Sequence, residues 1–111
     1  MERLFIETKA FREKIDTFKQ ASLLIEIQKK ILAEPESGDL IPGTGGIRKV
    51  RIADPRQSKG KSGGLRVLYL DLPARRRTYL LTLYGKGEKE NISPGEKKIL
   101  RELVCILKED I

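Results

Sequence analysis

Lys49 and Arg51 stand two residues apart in Ile47-Arg48-Lys49-Val50-Arg51-Ile52, with Val50 and Ile52 in the alternate positions. At a period of two, the cations share one face of a strand and the apolar pair takes the other. Arg66 interrupts the apolar run Leu65-Arg66-Val67-Leu68-Tyr69-Leu70 on the side of Leu68 and Leu70, where a cation needs an anionic partner or solvent. Tyr84 closes the next apolar run, and Lys86 follows two residues later. Lys, Arg and Tyr together can act on RNA without a metal, because RNA carries its own nucleophile in the 2′-hydroxyl beside each phosphate. Such a site needs a group to take the 2′ proton, cations against the charge developing on the phosphoryl oxygens, and a donor for the 5′ leaving oxygen.

Other chemistries find little support. The 111 residues contain no His, which removes His-ligated zinc, Ser-His-Asp triads and histidine-pair ribonuclease chemistry. The single cysteine, Cys105, can form neither an intramolecular disulfide nor a CxxC knuckle, and its place in a late apolar stretch predicts a small core side chain. Gly60-Lys61-Ser62 resembles the end of a phosphate-binding loop, but position 55 is Pro and Gly63-Gly64 and a strand follow. Gly43-Thr44-Gly45-Gly46 lacks dinucleotide-binding spacing and reads as a turn. Asp54 and Asp71 lie far apart, so a two-metal nuclease has no carboxylate pair, and neither metal nor cofactor is expected.

The charge balance points to a polyanion. Net charge is +7, and from Ile47 to Lys89 twelve Lys and Arg face only Asp54, Asp71 and Glu88. The length allows one domain, and 39% hydrophobic with 35% charged residues suits a soluble one. MERLFIETKAF does not resemble a secretory signal and no segment reaches membrane-spanning length, so a cytoplasmic protein is expected.

The elements that must position these residues follow from period and punctuation. Leu4-Phe5-Ile6-Glu7 reads as a strand and Thr8 as the N-cap of a helix whose apolar face is Phe11, Ile15 and Phe18. A second helix from about Ser22 carries Leu23, Leu24, Ile27 and Ile31 and ends before Pro35, the two helices forming a hairpin. Residues 38–46 read as a loop, 47–52 as a strand, 54–64 as a flexible basic loop, 65–70 as a strand, 73–76 as a turn and 78–84 as a third strand of an antiparallel meander. Ser93-Pro94-Gly95-Glu96 forms a capping box with proline in the first turn. The helix it opens turns Ile99, Leu100, Leu103, Ile106 and Leu107 inward. The order is β-α-α-β-β-β-α, an α+β fold with helices packed on a small, twisted, largely antiparallel sheet.

The segments GTGGIRKVRIA, SKGKSGG, LRVLYL and YLLTLYGKGEKENIS, in this order, resemble the RelE/HigB family of bacterial toxins, and especially its HigB-like branch. That resemblance covers nearly the whole chain. It implies a ribosome-dependent endoribonuclease, an mRNA interferase that cuts mRNA in the ribosomal A site, leaves a cyclic or 3′-phosphate end, and is neutralised by a cognate antitoxin. The family's two strand lysines fall on Lys49 and Arg51, its phosphate-stabilising arginine on Arg66, and its basic segment on Gly85-Lys86-Gly87-Glu88-Lys89. RelE itself has Arg where this chain has Gly87 and a catalytic Tyr where it has Ser93, so Tyr84 is the local substitute, either as a base-stacking platform or in proton transfer. The remaining cations, Arg48, Arg56, Lys59, Lys61, Arg75, Arg76, Arg77 and Lys89, are expected to bind mRNA or ribosomal RNA. The partner implied is a separate small antitoxin with a helix-turn-helix domain and acidic or apolar surface toward this chain, DNA being reached only through the complex. A non-catalytic RNA- or ribosome-binding module is the alternative. Sequence-specific DNA binding ranks last, because no helix carries base-reading side chains.

Overall fold

The structure is a computed structural model and describes residues 3–56, 64–89 and 91–109. Strand β1 (Leu4–Glu7) leads directly into helix α1 (Lys9–Asp16). Thr8 caps that helix as expected: its Oγ1 accepts from the Phe11 N–H at 3.1 Å and donates to the Leu81 carbonyl at 2.7 Å, tying the cap to the sheet. Helix α2 (Ala21–Ala33) follows after four residues, and strands β2 (Asp39–Leu40), β3 (Arg48–Ile52), β4 (Leu65–Leu72) and β5 (Arg77–Gly85) precede helix α3 (Pro94–Glu109). A short 3-10 turn, Pro73–Arg75, joins β4 to β5 and ends on Arg76 in the left-handed region at φ 54°.

The sheet runs β1-β5-β4-β3-β2, with β1 parallel to β5 and every other pair antiparallel. The expected loop at 38–46 therefore contains a two-residue edge strand, in which Asp39 and Leu40 pair with Lys49 and Arg48. The rest of that segment is the turn predicted from its glycines: Gly43, Gly45 and Gly46 have positive φ, and Thr44 Oγ1 donates to the Ile41 carbonyl while accepting from the Ile47 N–H. Residues 57–63, the greater part of the expected basic loop, lie outside the described residues.

Helices cover both faces of the sheet, which explains why β4 and β5 read as near-continuous apolar runs. On one face Phe11, Ile15, Leu23, Ile27 and Ile31 of α1 and α2 pack on Val50, Ile52, Leu65, Val67, Tyr69, Leu80 and Leu83. On the other, Val104 of α3 packs with Ile47, Leu68, Leu70, Tyr79, Leu81 and Tyr84. Tyr69 fastens the end of α2 to the sheet, its hydroxyl accepting from Gly38 N–H at 3.1 Å and donating to the Pro35 carbonyl at 2.8 Å. At the opposite end, Arg3 and Thr78 both bond Asp71, so one half-buried carboxylate ties the residue before β1 to β4 and β5.

Helix α3 corrects two expectations. Ile99 and Ile106 are 67% and 63% exposed, and the inward stripe is Leu100, Leu103, Val104 and Leu107. Cys105 is exposed as well, not a core side chain, because Val104 beside it takes the inward position and the next residue turns about 100° away. The capping box forms as read, with Glu96 N–H to Ser93 Oγ at 3.1 Å and Ser93 N–H to Glu96 Oε1 at 3.0 Å.

Candidate active site

Strand register brings the central cations together. Arg51 of β3 is the direct partner of Arg66 of β4, which in turn is the partner of Tyr84 of β5. Directly opposed residues share a face, and Lys49, two residues from Arg51, joins them on the side that α3 covers further along. This face opens into a cavity of about 230 Å³ lined, among the described residues, by Lys49, Arg51, Arg66, Lys86, Lys89 and Asn91, all but the last of them cations. An adjoining cavity of about 270 Å³ shares Lys49 and Asn91 and reaches Tyr84 and Lys97.

A tight turn delivers Lys86 to this place. Glu88 N–H donates to the Gly85 carbonyl at 3.0 Å, and Glu88 Oε1 accepts from Gly85 N–H at 3.0 Å. Lys14 of α1 holds the other carboxylate oxygen at 2.6 Å, and that bond is the main reason the Glu88 carboxyl sits below its ordinary range. Lys86 N–H donates to the Gly64 carbonyl at 2.9 Å, joining the ends of β4 and β5. No atom would lie within 4 Å of a side chain begun at Gly87.

Lys89 is placed by α3. Its Nζ lies 2.6 Å from Glu96 Oε2 and 5.1 Å from the centre of the Tyr84 ring. Glu96, already committed to the capping box, has its carboxyl pulled down chiefly by the Lys89 bond. The N-terminus of α3 thus carries a cation of the cavity wall. The sequence assigns Lys89 to RNA contact and Glu96 to the capping box and does not single out Asn91; no local spacing signals a pairing across the turn into a helix.

Tyr84 is 2% exposed and belongs to the core under α3, which leaves no free ring face for a base to stack on. Burial raises its phenol above the ordinary value, outweighing the pull of Arg66 and Lys89 in the other direction. Such a phenol stays protonated at neutral pH and is a hydrogen-bond donor rather than a base.

The other cations divide. Arg48 points to the opposite face and binds the carbonyls of Glu36 at 3.0 Å and Gly38 at 2.8 Å. Arg56 makes a two-pronged pair with buried Asp54, at 3.1 Å and 3.0 Å, and lies 4.1 Å over the Phe18 ring. Arg75 caps the end of α3 by binding the carbonyls of Leu107, at 2.9 Å, and Lys108. Arg75, Arg76 and Arg77 stand at the start of β5, about 26 Å of strand from Gly85, and do not join the cavity. Lys59 and Lys61 lie outside the described residues. Among the described residues no three His, Cys, Asp or Glu gather as metal ligands, and no helix is long and apolar enough to cross a membrane.

Fold and cavity together define a small α+β protein with a polycationic cleft on one sheet face. Residues 16–109 match the family described as the RelE toxin of the RelE / RelB toxin-antitoxin system, and the chain belongs to that family. The protein is thus a RelE-like toxin of a toxin-antitoxin system, for which an antitoxin is the implied partner.

Proposed function

We propose that this toxin is a ribosome-dependent endoribonuclease that cuts translated mRNA and so inhibits translation. The observation that carries the reading is the Arg51–Arg66 register pair, with Lys49, Lys86 and Lys89 around the same cavity. In the proposed reaction the 2′-hydroxyl gives its proton to solvent water as its oxygen bonds to the adjacent phosphorus, and the bond from phosphorus to the 5′-oxygen breaks, leaving a 2′,3′-cyclic phosphate. Arg51, Arg66 and Lys49 offset the charge that grows on the phosphoryl oxygens. Lys86, exposed at the cavity rim, supplies a proton to the departing 5′-oxygen. No metal or cofactor takes part in this scheme.

The antitoxin is expected to present acidic surface to the cleft and apolar surface to the exposed Ile99 and Ile106 of α3. A helix-turn-helix domain on that partner would bring DNA to the complex.

The test is a cell-free translation reaction with mRNA 5′ ends mapped by primer extension, for wild type and Arg66→Ala. New ends inside translated codons, dependent on ribosomes and lost in the variant, are the expected result. Intact mRNA with the protein still co-sedimenting with ribosomes would replace the enzyme with a binding module.

A further inference from the structure

We propose that the groove between α2 and β3 is a base-binding subsite for the mRNA nucleotide next to the scissile phosphate, and that Glu26 reads an exocyclic amine there. The proposal rests on the cleavage reading above and names a second pocket for the same substrate. The groove measures about 750 Å³, within the range of about 300–1,000 Å³ that ligand sites occupy. Arg51 lines both this groove and the cationic cavity, which lie on opposite faces of the sheet; β2 pairs only with Arg48 and Lys49, so β3 is the sheet edge at Arg51 and an RNA chain with its phosphate there reaches the groove by crossing that edge.

The walls suit a nucleotide. Ala53 and Pro55 provide an exposed apolar surface for a base face, while Lys29, Lys30 and Arg51 supply cations for the flanking phosphates. Ser22, Glu26 and Lys29 recur at helical spacing along α2 and therefore share one side of it. Lys30 Nζ donates to the Arg51 carbonyl at 2.8 Å and ties the helix to the strand. Glu26 is the only carboxylate among the described residues that line the groove. An ionised carboxylate accepts hydrogen bonds and donates none, which favours the amines of cytosine and adenine and disfavours the carbonyl that uracil carries in the same place.

Two measurements test the idea. In the first, the full-length Arg66→Ala protein is titrated with cytidine 5′-monophosphate and uridine 5′-monophosphate and followed by backbone amide shifts. The amides of Glu26, Arg51 and Ala53 should move, with the cytidine nucleotide binding at least threefold more tightly, and Glu26→Gln should erase that preference. In the second, primer extension compares cut sites of wild type and Glu26→Gln, and the share of cuts beside uridine should rise at least threefold in the variant. Equal binding of both nucleotides, or a cut-site distribution unmoved by Glu26→Gln, overturns the subsite. If a poly-glutamate peptide shifts the same amides and neither nucleotide does, the groove takes an acidic protein segment and the proposal is overturned. Intact mRNA with the wild-type protein refutes the cleavage reading alone, and the nucleotide titration then decides the groove.

Discussion

Arg51 and Arg66 face each other across adjacent antiparallel strands and line one cavity. Directly opposed residues have Cβ atoms about 4.5–5.5 Å apart, a spacing at which like charges destabilise a sheet where opposite charges would contribute about 0.2–1 kcal/mol. The two guanidinium groups repel each other across the strands, and together they concentrate positive field where a phosphate would sit.

Removing one of the two charges separates these effects. Arg51→Thr should leave the melting temperature unchanged or slightly raised, while mRNA cleavage falls about 10²–10³-fold, the usual loss when a group stabilising developing oxyanion charge is deleted. Thermal unfolding and the translation assay on the same sample check both. As a contrast, Leu68→Ala on the same face should cost about 2–5 kcal/mol, because Leu68 is fully buried.

Gly87 leaves room for a cation. With nothing within 4 Å of a Cβ there and no positive φ to strain, Gly87→Arg should fold normally. An added guanidinium beside Lys86 should raise cleavage about tenfold, equivalent to about 1.4 kcal/mol. Initial rates at fixed ribosome concentration measure this, and a rate equal to wild type would mean the turn points its side chain away from the RNA.

Tyr84→Phe distinguishes a proton donor from a core ring. If the phenol donates, cleavage falls about 10²–10⁴-fold while unfolding stability changes little. Burial also raises this phenol in the folded state, so the folded protein is penalised once pH climbs past the ordinary value of about 10, where the unfolded chain ionises first. The alkaline limit of stability should accordingly move upward in Tyr84→Phe, as read by circular dichroism across the pH range.

Acid acts through the opposite sign. Asp54, Glu88 and Glu96 are all held below their ordinary values, first of all by hydrogen bonds from Arg56, Lys14 and Lys89 respectively. Their contribution is complete above the unfolded values of 3.8 for Asp54 and 4.5 for the glutamates, and is lost as pH falls through the lower folded ones. Melting temperature should drop below about pH 4.5, and Asp54→Asn should flatten that drop while lowering stability at neutral pH, since it breaks the pair holding Arg56 over Phe18.

Much of this architecture is readable along the chain because its cues are local. Thr8 and Ser93 announce helix starts through side chains three residues from their partners, and the alternation around Val50 assigns Lys49 and Arg51 to one face without knowledge of the neighbours. The parts that escape depend on distant packing. Helix α3 offers apolar residues round more of its circumference than one sheet face can cover, and the seating of Val104 against Leu68 and Tyr79 leaves Ile99 and Ile106 outside. Lys89 and Glu96 meet across a turn and a helix cap, and Arg75 meets the end of α3 more than thirty residues later. Adjacent basic residues consequently have different fates: Arg48 braces a loop while Lys49 lines the cleft.

The parallel pairing of β1 with β5 also sets an order of assembly. The Thr8 hydroxyl reaches a carbonyl 73 residues away and Arg3 a carboxylate 68 away, whereas β3, β4 and β5 pair with their neighbours in sequence. Closing so long a loop has an entropic cost that neighbouring strands avoid, so the central meander should form first and β1 dock afterwards. During synthesis β1 emerges well before its partner β5 and must wait for it, and until β5 is released the edge of β4 that it covers stays open.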